Sequence, residues 1–282
     1  MLSKTIINFC PTGMVPTRAE TPFVPIAPAE IIEQVQEAYE TGITIAHLHA
    51  READGQPSCR RDVYREIFEG VRKYCPGLVI CGSSSGRTFS EFEKRSEVIE
   101  LRPDMCSLTL GSLNFHKTSS VSTPDVIIRL AEKMETYGVK PELECFDLGM
   151  INFGKYLIQR SILRPPFYWN LLFGSIAGFQ PQLLQMGAAL NELNGKEHHI
   201  ALAGIGAAQL TVNAVAIATG YGLRVGLEDN IWLDDGKEIL ASNIQLLKRI
   251  HHLMEIHQRK LFTASEFGNK GFYNAGNNNF GV

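Results

Sequence analysis

The sequence predicts a (β/α)8 barrel, also called a TIM barrel, in which eight parallel strands alternate with helices. Short β-branched or apolar runs alternate with amphipathic stretches along the chain, and this alternation is typical of parallel α/β folds. Eight such runs are present, the number that closes this kind of barrel. The chain has 282 residues and 44% hydrophobic content, which suits one barrel with a large core.

The predicted strands are separated by segments that can each hold a helix. They lie at residues 5–9, 43–47, 78–82, 105–109, 142–146, 168–172, 199–203 and 223–227. Apolar residues at helical spacing predict the first helix, namely Ile31, Ile32, Val35, Ala38 and Tyr39. Ser90 and Glu93 form a capping-box pattern, which predicts a helix start there. Thr123-Pro124 likewise predicts a helix over 125–137, and 236–260 is the last predicted helix.

The chain is predicted to hold one catalytic domain and a short tail. Residues 1–261 form the barrel, because no internal repeat or flexible linker interrupts the alternation. Residues 262–282 are rich in Gly, Asn and aromatic residues. This segment is too aromatic for a plain linker, so we expect it to pack on the barrel or on a neighbouring subunit.

Composition and charge exclude several classes of partner. The 27 basic and 30 acidic side chains give a formal charge of -3 without a basic cluster, so nucleic acid is not an expected partner. The chain begins with a strand-like run instead of a secretory signal, and no apolar run approaches the ~20 residues that span a bilayer. The six cysteines form no C-x-x-C pair. These features predict a cytoplasmic protein with reduced thiols and no membrane partner.

Two histidines and a distant carboxylate are the candidate metal ligands. His47 and His49 end the second predicted strand and lie two residues apart, so both side chains point to one face. Glu228 follows the eighth predicted strand, and barrel active sites form where strands end. Two imidazoles and one carboxylate make a zinc site with an open position, at which the ion can polarise a substrate carbonyl. The alternative is a core histidine at 47 and a helix N-terminal charge at 228.

Other strand ends carry polar groups that an apolar barrel core does not need. The third strand runs into a Ser/Gly turn at 82–87, whose amides and hydroxyls can hold a carboxylate or phosphate. Ser107 and Thr109 share one face of the fourth strand, and Glu142 and Glu144 share one face of the fifth. Buried unpaired carboxylates are costly. Glu144, nearer the strand end, is therefore a candidate for the site or for a structural ion pair.

Gly204 and Gly206 lie in a glycine-rich turn that links the seventh strand to a helix. Free backbone amides and the helix dipole favour anions at such a turn. The full dinucleotide fingerprint is missing. We therefore expect these glycines to contact a phosphate or CoA.

Five motifs follow one another along nearly the whole chain. They are Cys10-Pro11-Thr12-Gly13, Ala46-His47-Leu48-His49-Ala50-Arg51, Ser83-Ser84-Ser85-Gly86-Arg87, Pro141-Glu142-Leu143-Glu144-Cys145-Phe146-Asp147 and Arg224-Val225-Gly226-Leu227-Glu228-Asp229-Asn230. Together they resemble the β-keto acid cleavage enzyme family, whose founding activity is 3-keto-5-aminohexanoate cleavage in lysine fermentation. The ordered set is more specific than any single motif.

The resemblance implies a (β/α)8 acyltransferase that assembles into homotetramers. Its family reaction uses acetyl-CoA as co-substrate with a β-keto acid and gives acetoacetate and a new acyl-CoA. The resemblance also implies Zn²⁺ held by His47, His49 and Glu228. Asp229 would be the base, oriented by Arg224, and this ion pair is expected to lower the pKa of Asp229.

The resemblance further implies which residues bind substrate. Ser83 would help to hold the β-keto acid carboxylate, and Ser107 would be a polar contact near the reacting carbons. Glu144 also falls on a family site position. We expect Ser84 and Thr109 to line the same site.

The first loop departs from the founding enzyme of the family. Where a glutamate that reads the substrate amino group is expected, this chain has residues 10–14, with Met14 or a neighbour in place of the acid. An ammonium against Met would lose a charge partner worth roughly 2–5 kcal/mol when buried. We therefore expect an uncharged or apolar β-keto acid as substrate.

Two other functions fit parts of the pattern. A zinc hydrolase or aldolase on the same barrel would normally need further histidines at strand ends, and the remaining ones lack that placement. The histidines without it include His116, His198, His251, His252 and His257. A non-catalytic barrel with a structural metal would need neither Asp229 nor Arg224. The ligand set also suits iron or cobalt.

Overall fold

Eight parallel strands form a closed barrel in the computed structural model, which describes residues 4–274. Each strand pairs with the next along the chain, and the eighth pairs with the first. We name them β1 (Ile7–Phe9), β2 (Ile45–Leu48), β3 (Val79–Gly82), β4 (Met105–Thr109), β5 (Lys140–Cys145), β6 (Phe167–Phe173), β7 (His198–Gly204) and β8 (Gly222–Val225). The predicted (β/α)8 fold is confirmed.

Helices connect the strands and bury one face against the barrel. They are α1 (Pro28–Thr41), α2 (Arg61–Tyr74), α3 (Phe92–Ser96), α4 (Pro124–Tyr137), α5 (Leu148–Gln159), α6 (Leu183–Asn191), α7 (Ala208–Thr219), α8 (Asn243–Ile256) and the short α9 (Ala264–Phe267). Thr123 caps α4, because its side chain accepts a hydrogen bond from the backbone N–H of Val126. No helix within residues 4–274 is long and apolar enough to cross a membrane.

The last long helix begins later than predicted. α8 starts at Asn243, since Ser242 forms a capping box at its N-terminus. Before it, the Asp234 carboxylate accepts a hydrogen bond from the backbone N–H of Ile239 at 2.7 Å. This local bonding competes with helix formation and keeps the segment before Ser242 as a loop.

Two other local predictions are corrected. α3 begins at Phe92 with Glu91 in the N-cap position, and no side chain caps it, so the capping box expected at Ser90 is not formed. Ser90 is exposed, and water can satisfy its hydroxyl without a cap. The first predicted strand is divided: Lys4–Thr5 pairs with Lys260–Leu261 outside the barrel, and only Ile7–Phe9 enters it.

Aromatic side chains from the tail lie against the amino-terminal ends of the barrel strands. Phe267 and Phe272 are fully buried and stack with their ring centroids 4.1 Å apart. Both rings meet Tyr168 and His199 edge-on, at 5.5–6.4 Å between centroids. Residues 275–282 of the predicted tail lie outside the described residues.

Phe272→Ala is expected to lower the free energy of unfolding by about 3–5 kcal/mol, because it removes a fully buried ring and leaves a cavity. Chemical denaturation followed by circular dichroism measures this loss. Ile256→Ala is the control, since Ile256 is 61% exposed at the end of α8 and its truncation should cost less than about 0.5 kcal/mol. Equal stability of the two variants would contradict a structural role for the tail.

Candidate metal centre and active site

Three candidate ligands converge at the carboxyl end of the barrel. His47 lies on β2, His49 just beyond it, and Glu228 in the turn after β8. Barrel closure leaves only β1 between β2 and β8, so His49 and Glu228 meet although 179 positions separate them. The Nε2 atoms of the two imidazoles are 3.2 Å apart, and His49 Nε2 is 3.1 Å from Glu228 Oε1. His47 Nε2 lies 4.0 Å from Glu228 Oε2.

The spacing and bonding capacity of this centre fit a zinc ion. In a tetrahedral site with bonds of about 2.0–2.1 Å, ligand atoms lie about 3.3 Å apart. The distances among His47, His49 and Glu228 bracket that value. Glu228 Oε2 is buried without a hydrogen-bond partner in residues 4–274, which leaves it available to coordinate an ion. The three side chains are therefore suitable zinc ligands.

Glu142 fixes the orientation of the His47 ring, a role that the sequence did not indicate. Its Oε2 is 2.6 Å from His47 Nδ1, and its Oε1 accepts hydrogen bonds from the side-chain amides of Asn8 and Asn170 at 2.6 and 2.9 Å. Burial is the largest influence and opposes ionisation of Glu142, but the charge and hydrogen bond of His47 together with the Arg224 charge outweigh it and lower the carboxyl pKa to about 2. With Nδ1 donating to this carboxylate, Nε2 of His47 would be left to coordinate a metal ion.

Glu142→Gln is expected to weaken zinc binding about 10–100-fold, because an amide cannot hold the His47 tautomer as a carboxylate does. Competition with a fluorescent zinc chelator measures the affinity. Glu144→Gln is the matched control, since Glu144 shares the strand face but contacts Thr109 and Arg224 instead of the histidines. The control should bind zinc like the wild type, and equal losses in both variants would argue against a specific role for Glu142.

Arg224 on β8 binds three carboxylates at once. Its Nε lies 2.9 Å from Asp229 Oδ2 and its Nη2 lies 3.1 Å from Asp229 Oδ1, a two-point contact that fixes the carboxylate plane. Nη2 also lies 2.7 Å from Glu228 Oε1, and Nη1 lies 3.2 Å from Glu144 Oε1. The guanidinium therefore joins the predicted base to a predicted metal ligand.

The pKa of Asp229 is raised, whereas pairing with Arg224 led us to expect a lower value. Burial is the largest cause, and the Glu228 charge adds to it, so the two together outweigh the attraction of Arg224. The expected sign is therefore wrong, because the ion pair lies in the barrel interior, where Asp229 is 9% exposed. The Cys10 thiol also donates to Asp229 Oδ2 at 3.3 Å. A raised pKa makes the ionised carboxylate a stronger base.

Three of the predicted substrate-binding hydroxyls lie at the same end of the barrel but bond to protein groups. The Ser84 N–H donates to Ser107 Oγ at 3.1 Å, and the Ser84 hydroxyl donates to the Ser107 carbonyl oxygen. The Thr109 hydroxyl donates to Glu144 Oε2 at 2.7 Å. These bonds tie β3, β4 and β5 together at the site. The substrate contacts of Ser84, Ser107, Thr109 and Glu144 stay predictions.

A small cavity of about 20 Å³ adjoins the candidate metal centre. Its wall includes Met14, His49, Ser83, Tyr64, Phe89, Lys94 and Arg95. Met14 and Ser83, which the sequence places far apart, thus share one cavity with a candidate metal ligand. The contacts of Met14 and Ser83 with substrate stay predictions.

The two glycines of the turn after β7 have different structural roles, since Gly204 packs closely against neighbouring backbone and Gly206 adopts a left-handed conformation. A Cβ at Gly204 would lie 2.5 Å from the Ala208 carbonyl oxygen. Gly206 has a φ of 60°, and its N–H donates to the Asp229 carbonyl oxygen at 2.7 Å. This amide holds the Asp229 backbone in place and is not free for a ligand. The contact with CoA stays a prediction, and other atoms of the turn would have to make it.

Comparison with known proteins gives consistent matches over almost the full chain. A family model described as beta-keto acid cleavage enzyme matches residues 4–269. The chain is 34% identical over 276 residues to 3-oxoadipate:acetyl-CoA acetyltransferase of Cupriavidus necator, with 94% of each chain covered. It is 32% identical to 3-keto-5-aminohexanoate cleavage enzyme of Fusobacterium nucleatum, covering 94% of this chain and 97% of that one.

Solved structures share the fold at lower sequence identity. The apo structure of ObcA superposes with a TM-score of 0.76 at 18% identity, covering 91% of this chain and 67% of that chain. A truncated 3-deoxy-D-arabino-heptulosonate 7-phosphate synthase from Thermotoga maritima superposes with a TM-score of 0.54 at 14% identity, covering 92% and 90%. These likenesses support the barrel architecture.

Proposed function

Since the chain belongs to the β-keto acid cleavage enzyme family, we propose that it condenses a β-keto acid with acetyl-CoA, with zinc, and cleaves the product to acetoacetate and a new acyl-CoA. The R–CO part of the β-keto acid passes to CoA, and its CH2–COO⁻ part joins the acetyl group. The observation that carries this proposal is the Arg224 guanidinium, which binds Asp229 and Glu228 at the same time. A purely structural metal site would not need a paired base beside it.

The side chains present suit the chemistry of this exchange. A carbon nucleophile forms from a β-keto acid when a positioned base removes a proton from the methylene between its keto group and its carboxylate. This carbon can add to the thioester carbonyl of acetyl-CoA, and once CoA has passed to the keto carbon, cleavage of the bond between that carbon and the methylene releases acetoacetate and the new acyl-CoA. Asp229 would accept that proton, since Arg224 holds both of its oxygens in one plane. Arg224 also keeps a positive charge next to the reacting carbons, where negative charge develops. The barrel end thus provides both a base and charge stabilisation in one place.

Zinc is the metal we propose for the centre formed by His47, His49 and Glu228. Its support is the donor set, the ligand spacing and the unpartnered Glu228 Oε2. When bound, the ion supplies Lewis-acid polarisation of a carbonyl oxygen. Iron and cobalt accept similar donors, so metal analysis of the isolated protein is part of the test.

We propose further that the substrate carries no positive charge. Met14 lines the cavity beside His49, and the same wall contains the cationic side chains Lys94 and Arg95. An ammonium in this cavity would find no acid at Met14 and would meet the buried cation of Arg95, whereas Lys94 is paired with Glu91 at 2.9 Å. The relative named for 3-keto-5-aminohexanoate acts on an amine-bearing compound, whereas this cavity disfavours one.

Met14→Glu is expected to raise kcat/KM for 3-keto-5-aminohexanoate relative to 3-oxohexanoate by at least about 10-fold, because a new carboxylate can pair with the ammonium. Both rates are measured from acetoacetate release. Met14→Gln is the matched control, since it has a similar size without the charge and should leave the ratio unchanged. Faster turnover of the amine by the wild type than of 3-oxohexanoate would contradict the substrate proposal.

The reaction itself is tested by mass spectrometry of the zinc-loaded protein with acetyl-CoA and a panel of charged and neutral β-keto acids. Acetoacetate together with the matching acyl-CoA supports the proposal. If none of the β-keto acids gives product although zinc is confirmed in the protein, a zinc hydrolase or aldolase function would fit better.

We also propose a cytoplasmic homotetramer, as the family resemblance implies. Exposed apolar side chains after β6 support subunit contacts, because Ile176, Leu183 and Leu184 are 60%, 74% and 84% exposed. Light scattering on the purified protein gives the mass of the assembly, and a monomer at micromolar concentration would contradict this expectation.

A further inference from the structure

Arg95 on α3 is a buried cation with one unused donor group. The residue is 2% exposed. Its Nε donates to the Ser84 carbonyl oxygen at 2.8 Å, and its Nη1 donates to the Val121 carbonyl oxygen at 3.1 Å. Nη2 is buried and has no hydrogen-bond partner among residues 4–274. Two nitrogens therefore hold the loops after β3 and β4, and the third remains unsatisfied.

The charge of Arg95 is also uncompensated within the described chain. Its bonded partners are carbonyl oxygens, and the acid whose charge acts on it, Glu144, is bonded to Arg224 and Thr109. Burial lowers the pKa of Arg95 to about 10, so the group is still a cation at neutral pH. A buried charge without a counter-ion is costly. A site that holds such an uncompensated cation is suited to bind an anionic ligand.

Arg95 lies next to the candidate active site. It lines the cavity that also contains His49 and Ser83. Its guanidinium lies directly against the Ser/Gly turn, because a Cβ at Gly86 would be 2.8 Å from Arg95 Nη1. The cavity therefore has a metal ligand, a serine hydroxyl and an incompletely bonded guanidinium in its wall.

We propose that Arg95 is the cationic partner of a substrate carboxylate, which binds Nη2 in the cavity beside His49 and Ser83. The inference rests on the proposed function, since it takes the ligand to be a β-keto acid. In such an acid one methylene separates the carboxylate from the keto carbon. One molecule can therefore place its keto group at the metal centre and its carboxylate in the adjoining cavity. A dicarboxylic β-keto acid offers a second carboxylate at its far end.

The test compares ligands that differ only in charge. Arg95→Lys keeps the cation but loses the planar fork of the guanidinium. We expect the Kd of 3-oxohexanoate for the zinc-loaded protein, measured by calorimetry, to rise at least about 10-fold. The Kd of the neutral 3-oxohexanamide should stay near its wild-type value.

Arg51→Lys is the matched control. Arg51 is 3% exposed, and its three nitrogens bond the carbonyl oxygens of Gly13, Pro16 and Gly55, so no donor group is left over. This variant should lower the Tm like Arg95→Lys without a selective loss of the carboxylate ligand. The same selective loss in Arg51→Lys would overturn the assignment to Arg95.

A third ligand, 3-oxoadipate, shows which of two substrate carboxylates binds Arg95. It has a second carboxylate where 3-oxohexanoate has a methyl group. An equal loss for both ligands in Arg95→Lys assigns Arg95 to the carboxylate next to the keto group, and a loss confined to 3-oxoadipate assigns it to the far one. Unchanged affinity for both in a folded, zinc-containing variant overturns the proposal.

A structure of the wild type decides the matter if Arg95→Lys does not fold. With zinc and 3-oxohexanoate or 3-oxoadipate bound, a carboxylate oxygen about 3 Å from Arg95 Nη2 supports the proposal. Carboxylates bound only elsewhere overturn it. These measurements report binding, so they are distinct from a failure to form acetoacetate, which would contradict the proposed function alone.

Discussion

Asp229→Asn is expected to lower turnover about 10³-fold while the protein keeps its fold and its zinc. The amide has the shape of the carboxylate but cannot accept a proton, and general-base catalysis typically contributes 10²–10⁴-fold. Asp229 is not one of the three candidate metal ligands, so metal content should not change. Acetoacetate release at saturating substrate measures the effect, and elemental analysis of the same sample reports zinc.

The control for this variant is Asp125→Asn on the outer helix α4. Asp125 is exposed, and its nearest cationic partner, Arg129, is 3.7 Å away at the surface. Turnover of this variant should match that of the wild type. If Asp229→Asn retained more than half of the wild-type turnover with zinc bound, Asp229 would not be the base.

Removal of the metal is expected to abolish turnover, and addition of zinc is expected to restore it. Lewis-acid polarisation is worth several kcal/mol of transition-state stabilisation, which no neighbouring side chain replaces. Dialysis against a chelator, elemental analysis and acetoacetate release before and after zinc addition measure this. His49→Ala should behave like the chelated protein, and excess zinc should fail to rescue it.

His252→Ala is the matched control for the histidine variant, because its side chain is 72% exposed on α8, outside the barrel. It should keep both zinc and turnover. Chelated protein that turned over at the wild-type rate would show that the metal is not catalytic. In that case the non-catalytic metal site considered from the sequence would fit better.

Most of the fold could be predicted from local sequence patterns. The alternation of apolar runs with amphipathic stretches gives the eight strands because each strand is buried on both faces and each helix on one. The start of α8 could not be placed, since a loop bonded to Asp234 and a cap at Ser242 interrupt an otherwise helical composition. The division of the first strand depends on pairing with Lys260–Leu261, which lies at the other end of the chain.

The candidate site was predicted where its residues carry distinctive chemistry. His47 and His49 are recognisable because a period of two places them on one face, and Glu228 because it follows a strand. Glu142 lies on the same strand face as Glu144, yet the sequence favoured Glu144 because it is nearer the strand end. Only the closed barrel shows that Glu142 supports His47.

Two properties of the site depend on burial and therefore cannot be predicted from the sequence. The pKa of Asp229 rises although it pairs with Arg224, because burial outweighs the ion pair. Arg95 was not among the sequence candidates, since a lone arginine after a Ser/Gly turn is ordinary. Its importance comes from being 2% exposed with an unpartnered Nη2.

The sequence by itself determined the barrel class and the candidate metal ligands, because residue type and short-range period are local properties of a chain, and its family resemblance supplied the candidate base. The tertiary structure alone decided which carboxylate orients His47, how burial changes Asp229, and where Arg95 has a free donor. These depend on distances between β strands that are far apart in the chain and on the exclusion of water, and no local pattern encodes either quantity.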